Sequence, residues 1–503
     1  MSVDPTRIPV VVGVGQSLER EALTDVVELA ARAGRESFRD APGLEGQIDR
    51  LSMVGVSFSK AGARVASDVA RALGLEDVAC EVTTPGGNTP QWLVNRAGEE
   101  IAAGRLGTTL IVGAEATRSM RLRDRDADFL RVAVEPAAEG AGEADPVVGA
   151  SLQGMVGRAE IEARLLRPAD VYPVFESVLA ARAGASLSTW RERIAAFYAR
   201  GSEVAAKHPF AWFPEALSAG QIATPGPDNR LTAEPYTKRM NSFANVDMGA
   251  ALLVTNLATA RAAGLEDRCV FPWAGATNAD VAPTARPELG GSPAIRAAAA
   301  ATFEAAGLGL DDVEVFDLYS CFPVAVEIGA AEIGLALDDP RGLTTTGFMA
   351  FFGGPGNNYT THGIASTVAR VREGARLAYV SGNGGLLSKH SIGLYGGSPP
   401  LRGFVRADTT AAQARIEAEA LEVVASAEGP AQVDGGTVVY DRDGAVAAAP
   451  IVATLSDGRR VAAVAEPGLL PELSGRSLVG ERVVLAAGVP PVQLPGIGQP
   501  ATP

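Results

Sequence analysis

Residues 84–88 read Thr-Pro-Gly-Gly-Asn and residues 354–358 read Gly-Pro-Gly-Asn-Asn, so a proline, a glycine and an asparagine recur in one spacing: Pro85 with Pro355, Gly86 with Gly356, Asn88 with Asn358. Each segment reaches a glycine sixteen residues after its asparagine, at Gly104 and Gly374. Each then enters an apolar stretch ending on another glycine, Gly113 and Gly382. Two equivalent glycine-rich turns, each opening a helix, predict two pseudo-equivalent α/β halves. Helix N-termini present free N–H groups, which makes the junction of the halves the natural place for a site.

A chain of 503 residues exceeds one ordinary core and predicts two or three domains. The net charge of −15 argues against nucleic acid or an anionic membrane surface as the main partner. It leaves room for a local basic pocket. Of the 44 basic residues only Lys60, Lys207, Lys238 and Lys389 are lysines, a bias of composition more than of function. Three cysteines (Cys80, Cys269, Cys321) are too few and too far apart for a disulfide framework or a zinc site, so no metal is expected. They fit a reducing compartment. The first residues have no apolar leader, and no run approaches the ~18 apolar residues of a spanning helix. A cytoplasmic protein is the expectation.

Apolar runs at Ile8–Gly15, Arg50–Ser57 and Val78–Val82 read as strands, and Ala22–Phe38 has helical spacing. The alternation predicts a mostly parallel sheet. Residues 117–240 break the rhythm with a charged start, an acidic glycine- and alanine-rich stretch, and then helical spacing. Asn245–Val254 returns to the core. A second half repeats the plan with strands at Arg268–Ala274, Val313–Leu318 and Leu377–Ser381, and a helix at Ala294–Ala306. Beyond about residue 403, Ala411–Ala427 fits a helix or a long strand. Short strands with Asp-Gly turns at 443–444 and 457–458 then predict a small antiparallel barrel. The proline-rich residues 491–503 read as a disordered tail. The segment Gly13-Val-Gly15 lacks the third glycine of a dinucleotide fingerprint.

Over residues 8–396 this order of motifs resembles the thiolase superfamily, and particularly its sterol-carrier-protein-thiolase-like branch. The resemblance implies a five-layer αβαβα fold of two pseudo-repeated halves, 1–265 and 266–402, with a loop domain at about 117–240. The additional 403–490 domain is similar in position to that of the type 1 thiolase-like proteins. The implied ligand is coenzyme A or an acyl-CoA, with no other cofactor, and the implied setting is lipid metabolism.

In that family a nucleophilic Cys opens the first helix. Alignment through Glu99-Glu100-Ile101-Ala102-Ala103-Gly104 places Gly87 there. The activating His of the family's Gly-His-Pro-x-Gly segment falls on Gly354, within Gly353-Gly354-Pro355-Gly356. Both groups needed for a covalent acyl intermediate are therefore absent. Asp317-Leu-Tyr-Ser-Cys-Phe322 is similar to the branch's His-Asp-Cys-Phe signature, with Tyr319 for the His and Ser320 for the Asp. Cys321 is thereby the candidate acid/base and Tyr319 a candidate oxyanion donor; a packed relic is the competing reading of Cys321. Backbone N–H groups at Gly87 and at Gly384, in the Ser381-Gly-Asn-Gly-Gly385 loop, are the other expected thioester donors. Asn88, Phe322 and Gly354 complete the expected pocket, with His362 if its helix starts late. Otherwise His362 and His208 are structural, and His390 is a surface or loop residue. Cys80, seven residues before Gly87, is over ~20 Å of extended chain away and reads as a buried apolar residue.

Two functions from different classes follow: a CoA- or acyl-CoA-binding protein without thiolase activity, or an acyltransferase using Cys321 and backbone donors. Protein partners in a lipid-degradation assembly are compatible with the first. Monomer and dimer both stay open.

Overall fold

The computed structural model describes residues 3–125, 143–149, 156–486 and 492–493. The first half builds a six-stranded sheet in the order β1-β8-β4-β2-β3-β5. Its strands are β1 (Pro9–Leu18), β2 (Arg50–Met53), β3 (Ala79–Thr83), β4 (Thr109–Ala116), β5 (Val147–Val148) and β8 (Asp247–Asn256). Between β5 and β8 the chain forms the short strands β6 (Leu231–Ala233) and β7 (Tyr236–Thr237). The second half builds a five-stranded sheet, β10-β11-β12-β9-β13, from β9 (Phe271–Ala279), β10 (Val315–Asp317), β11 (Leu377–Gly384), β12 (Lys389–Gly396) and β13 (Val405–Arg406).

Both sheets are mostly parallel, as expected: five of six strands in the first and four of five in the second share one direction. In the first, β8 runs antiparallel to β1 and β4; in the second, β12 runs antiparallel to β11 and β9. β12 is reversed because the short 385–388 turn joins it to β11 as a hairpin, and β8 because it returns from the long 117–240 region and not through a single βαβ crossover. His390 sits on β12 and is 2% exposed, so the surface or loop position expected for it is incorrect.

Side-chain alternation assigns the layers. Val10 and Val12 of β1 join an outer core with helix Val26–Asp40, which Asp25 caps through the Glu28 N–H. Val11 joins an inner core with Leu93, Val94 and Ala97 of helix Thr89–Ala102 and with Ile364, Ala365 and Val368 of helix Tyr359–Arg372. The same inner core includes Ala378 and Val380 of β11. The two central helices therefore lie between the sheets. Helices Pro293–Ala306 and Pro323–Ile333 cover the outer face of the second sheet, completing five layers.

The sequence repeat has a structural counterpart in contacts that cross between halves. Asn358 of the second turn donates to the Gly113 carbonyl of β4 at 2.6 Å. Asn88 of the first turn packs its Cα where a side chain at Gly382 of β11 would stand, and donates to Ser391 at 3.3 Å. Asn357 accepts from the Gly86 N–H at 2.9 Å, and Thr360 donates to the Gly87 carbonyl at 2.6 Å. Each repeated asparagine thus meets the repeated glycine of the opposite half, where only a hydrogen side chain leaves room for it.

Between β4 and β8 lie helices Pro168–Arg182 and Leu187–Ala205, within the 117–240 region. Most of the acidic stretch there falls outside the described residues. Residues 411–427 contain a helix, Thr410–Ala418, not a long strand. The C-terminal strands are β14 (Gly429–Gly436), β15 (Val439–Tyr440), β16 (Val446–Ala448), β17 (Pro450–Leu455), β18 (Arg460–Val464), β19 (Arg482–Leu485) and β20 (Val492–Gln493). Among the described residues they do not close into the expected barrel. Five form an open antiparallel sheet, β18-β17-β14-β19-β20, while β15 and β16 leave it to join β6 and β7. β20 pairs within the stretch expected to be a disordered tail; the other residues of 491–503 lie outside the described ones.

Candidate functional site

The two positions that the resemblance assigns to the nucleophile and its base are both occupied from elsewhere. A Cβ on Gly87 would overlap the Tyr319 hydroxyl oxygen and stand 2.5 Å from the Asn383 carbonyl oxygen. A Cβ on Gly354 would overlap the Ser242 hydroxyl oxygen. Ser242 is fixed by its N–H, which donates to the Cys321 carbonyl at 3.1 Å. Tyr319 is fixed by its N–H donating to Ser381 at 3.1 Å and by an edge contact with Tyr359. Burial holds the Tyr319 phenol well above its ordinary value, so it stays a neutral donor.

Gly384 lies against the first turn. A Cβ there would stand 2.5 Å from Asn88 Oδ1 and 2.8 Å from the Gly86 Cα. Asn88 is buried, and its Oδ1 has no hydrogen-bond partner among the described residues. A cavity of about 10 Å³ remains beside Tyr319, Ser381, Asn383 and His390, room for about one water.

Cys321 is partly buried at the same junction. Burial pushes its thiol up to about 12, against a smaller opposing effect of the Tyr172 hydroxyl beside it. Asn383 points its Nδ2 at the sulfur, 3.9 Å away, and donates to the Tyr172 hydroxyl at 3.0 Å. The Tyr172 hydroxyl in turn accepts the Leu387 N–H at 3.0 Å. Phe322 stacks on Tyr172 at 4.6 Å between ring centroids and faces Tyr236 at 6.1 Å. A thiol held this high is protonated at neutral pH and is a poor nucleophile.

The other candidates separate from this cluster. His362 is fully buried; its Nδ1 pairs with Gln16 Oε1 at 2.7 Å and its ring packs on Phe352. Burial, with His208 nearby, pushes it down to about 3, so it is a neutral core imidazole. His208 is pushed down to about 4 by burial and pairs with Ser366 at 3.0 Å. Asp247 accepts from the Ser119 N–H and hydroxyl and from Arg118, a structural anchor at the start of β8. Cys80 lies on β3, partly buried. No group of His, Cys, Asp and Glu suited to a metal occurs among the described residues, and no helix among them is long and apolar enough to cross a membrane.

Sequence reasoning missed Ser242 and Glu115. Ser242 has no motif around it; only the space left by a glycine at 354 identifies it. Glu115, one residue before the end of β4, accepts the Ser57 N–H at 2.8 Å and the Ser59 hydroxyl at 2.6 Å. Its carboxyl also fills the position of a Cβ on Gly356, under the second turn.

No profile of a known protein family matches the chain, and no curated protein does. Solved structures do. A monomeric SCP2-thiolase like protein type 1 (STLP1) from Mycobacterium smegmatis is 32% identical, with a TM-score of 0.83, and the match covers 98% of this chain and 100% of that one. The Ltp2-ChsH2(DUF35) aldolase matches at 18% identity and TM-score 0.59, over 78% of this chain and 98% of that one. The dimeric peroxisomal thiolase of Saccharomyces cerevisiae matches at 15% identity and TM-score 0.55, over 78% and 98%. The last two likenesses concern the fold. The first spans the C-terminal region as well as both halves, and by it the chain belongs to the thiolase superfamily, in its SCP2-thiolase-like branch.

Proposed function

We propose that this chain binds coenzyme A or an acyl-CoA and does not catalyse acyl transfer by a cysteine–histidine route. The observation that carries this reading is the double filling: Tyr319 at Gly87 and Ser242 at Gly354 take the volumes that a thiol and an imidazole would need. Among the described residues neither hydroxyl donates to a base; Ser242 points its hydroxyl at the Met349 sulfur. What remains is a set of neutral donors: the Tyr319 hydroxyl, which stands against Gly87, and beside it the backbone N–H groups that this reading assigns to Gly87 and Gly384. Such a set can hold a thioester oxygen without attacking its carbon. The 10 Å³ cavity means that Tyr319 must swing aside to admit the thioester.

Calorimetry with CoA and acetoacetyl-CoA, beside a thiolysis assay on the same preparation, tests the reading. The expected result is binding without turnover. Tyr319→Phe should weaken acetoacetyl-CoA about threefold to tenfold, the worth of one hydrogen bond, and leave CoA unchanged. Thiolysis at even ~1 s⁻¹ overturns it.

A second reading, acyl transfer with Cys321 as acid/base, draws on the Asn383 and Tyr172 contacts to its sulfur. It requires that Cys321→Ser abolish whatever turnover exists. A protein partner belongs to the first reading, since one fold relative is a complex with a DUF35 protein.

A further inference from the structure

Two buried carboxyl groups meet where the loop domain rests on the second half. Glu176, on helix Pro168–Arg182, is fully buried, and Glu327, on helix Pro323–Ile333, is 5% exposed. Glu176 accepts on both oxygens: Oε1 takes the Trp190 indole N–H at 2.6 Å and Oε2 the Tyr236 hydroxyl at 2.5 Å. Glu327 has no such donors. Among the described residues none reaches its Oε1 or Oε2, and its hydrogen-bonding neighbour is the Glu176 carboxyl itself. Two ionised carboxylates offer acceptors only, so this contact is a bond only when one of them carries a proton. The donors already on Glu176 place that proton on Glu327.

No cation neutralises the pair. Arg193 is the basic group that acts on Glu327, but it is exposed, lies over the Trp190 ring at 4.2 Å from the centroid, and forms an ion pair with neither carboxyl among the described residues. Tyr198 and Tyr236, which also face the pair, are held neutral by burial. The charges on the surrounding helices and loops are matched among themselves: Arg167 with Asp170, Arg182 with Glu288, Arg191 with Glu234, and Arg296 with Glu332. On helix Leu187–Ala205, Glu192 and Glu203 face solvent and Arg200 donates to the Leu337 carbonyl. A second negative charge in the pair has nothing nearby to offset it.

The same two helices carry the walls around Cys321. Tyr172 lies one turn before Glu176, on the same face of its helix. Its ring stacks on Phe322 at 4.6 Å, and its hydroxyl stands against the Cys321 sulfur. Cys321 and Phe322 lead directly into the helix that bears Glu327. Tyr236 spans the junction, accepting the Val324 N–H at 3.3 Å while donating to Glu176.

We infer that the proton shared by Glu176 and Glu327 is a latch on the loop domain. While it is held, helix Pro168–Arg182 stays seated on helix Pro323–Ile333 and Tyr172 covers Cys321. When it leaves to solvent, two like charges face each other without a cation, and helix Pro168–Arg182 lifts so that both are hydrated and Cys321 is uncovered. The direction with pH follows from the burial. In the seated state burial, and after it the Glu176 charge, hold the Glu327 carboxyl well above its ordinary 4.5; in the lifted, hydrated state it returns there. Lifting therefore releases one proton. Seating is favoured at low pH, and each unit of rising pH favours lifting by up to ~tenfold until the seated carboxyl itself ionises.

The test is iodoacetamide labelling of the full chain, with Cys321 and the reference Cys80 read separately by mass spectrometry. Each rate is divided by that of the urea-unfolded chain at the same pH, which removes the titration of the thiol. The expected ratio rises about tenfold or more at Cys321 between about pH 6 and pH 8, and stays level at Cys80. Glu327→Gln keeps the shape of the side chain without a second charge and should flatten the rise. Glu327→Leu should flatten it too, and serves if the amide variant does not fold. Glu115→Gln, which removes a buried carboxyl of the first half, should keep the rise. A level ratio at Cys321 in the parent, an equal rise at Cys80, a rise that survives in a folded Glu327 variant, or one that is lost in Glu115→Gln overturns the inference. Because CoA is absent from every arm, these outcomes are independent of the thioester reading.

Discussion

A glycine at 87 and a glycine at 354 each leave room for a neighbour, and in each case the neighbour is a hydroxyl. The consequence is testable at single-residue resolution. Gly87→Cys alone cannot seat its sulfur, because its own Cβ would overlap the Tyr319 oxygen. The variant should lose about 1–3 kcal/mol by overpacking, read as a lowered urea midpoint, and stay inactive. In a Tyr319→Ala background the same Gly87→Cys change should cost less, with the Asn383 carbonyl still 2.5 Å from the Cβ; if its cost is no smaller there, the overlap with Tyr319 is not what limits the position. That glycines stand at 87 and 354, where the family resemblance expects a Cys and a His, was legible in the sequence, because the flanking motifs survive around them. What fills the space was not legible. Tyr319 could be named from its signature, but its direction depends on how the 317–322 loop packs, and Ser242 belongs to no motif at all.

At the scale of elements, the buried end of β4 should tune stability with pH. Burial pushes the Glu115 carboxyl from an ordinary 4.5 up to about 7, against the hydrogen bonds from Ser59 and from the Ser57 and Phe58 N–H groups. The folded state therefore holds this proton more tightly than the unfolded one. The contribution is fully present below pH 4.5 and is lost as pH rises through 7. Glu115→Gln keeps an acceptor and removes the titration. Its stability relative to the parent should improve between pH 5 and pH 8 by up to roughly 3 kcal/mol, measured by urea denaturation at each pH. Parallel pH profiles for the two proteins would rule this out. Elements with strong local patterns, such as β1, helix Pro293–Ala306 and β11, were readable from periodicity. The antiparallel strands, the short β5 and the open C-terminal sheet were not, since strand partners lie far away in sequence and the Asp-Gly turns specify hairpins without specifying closure.

For the whole molecule, two features set how its parts hold together and how many copies associate. Glu234, in the loop domain, is 3% exposed and joins that domain to the C-terminal strands. It accepts from Arg191 at 2.7 Å and from the Tyr440 hydroxyl at 2.9 Å. Glu234→Ala leaves a mostly buried guanidinium unpaired and should cost about 3–5 kcal/mol, seen as a large fall in the denaturation midpoint. A loss under ~1 kcal/mol would mean that the two regions dock without it. The outer edge of β3, beside the first turn, is covered by β5 of the same chain, with Val82 paired to Val147 and Thr83 to Val148. A covered edge does not recruit a second strand. Sedimentation should accordingly find a monomer, and a dimer at micromolar concentration would show that association uses another surface.

The bonds that cross between the halves also set an order of events during synthesis. The Gly86 N–H and its acceptor Asn357 are 271 residues apart in sequence, and Asn88 and Ser391 are 303 apart. At ribosomal rates of ~5–20 residues per second, the first turn waits roughly 15–60 s for the strand and helix that complete it. During that interval helix Thr89–Ala102 has only one of its two sheets, and the apolar residues that later meet β11 and helix Tyr359–Arg372 face solvent. A nascent chain of this design has reason to engage a chaperone before its second half exists.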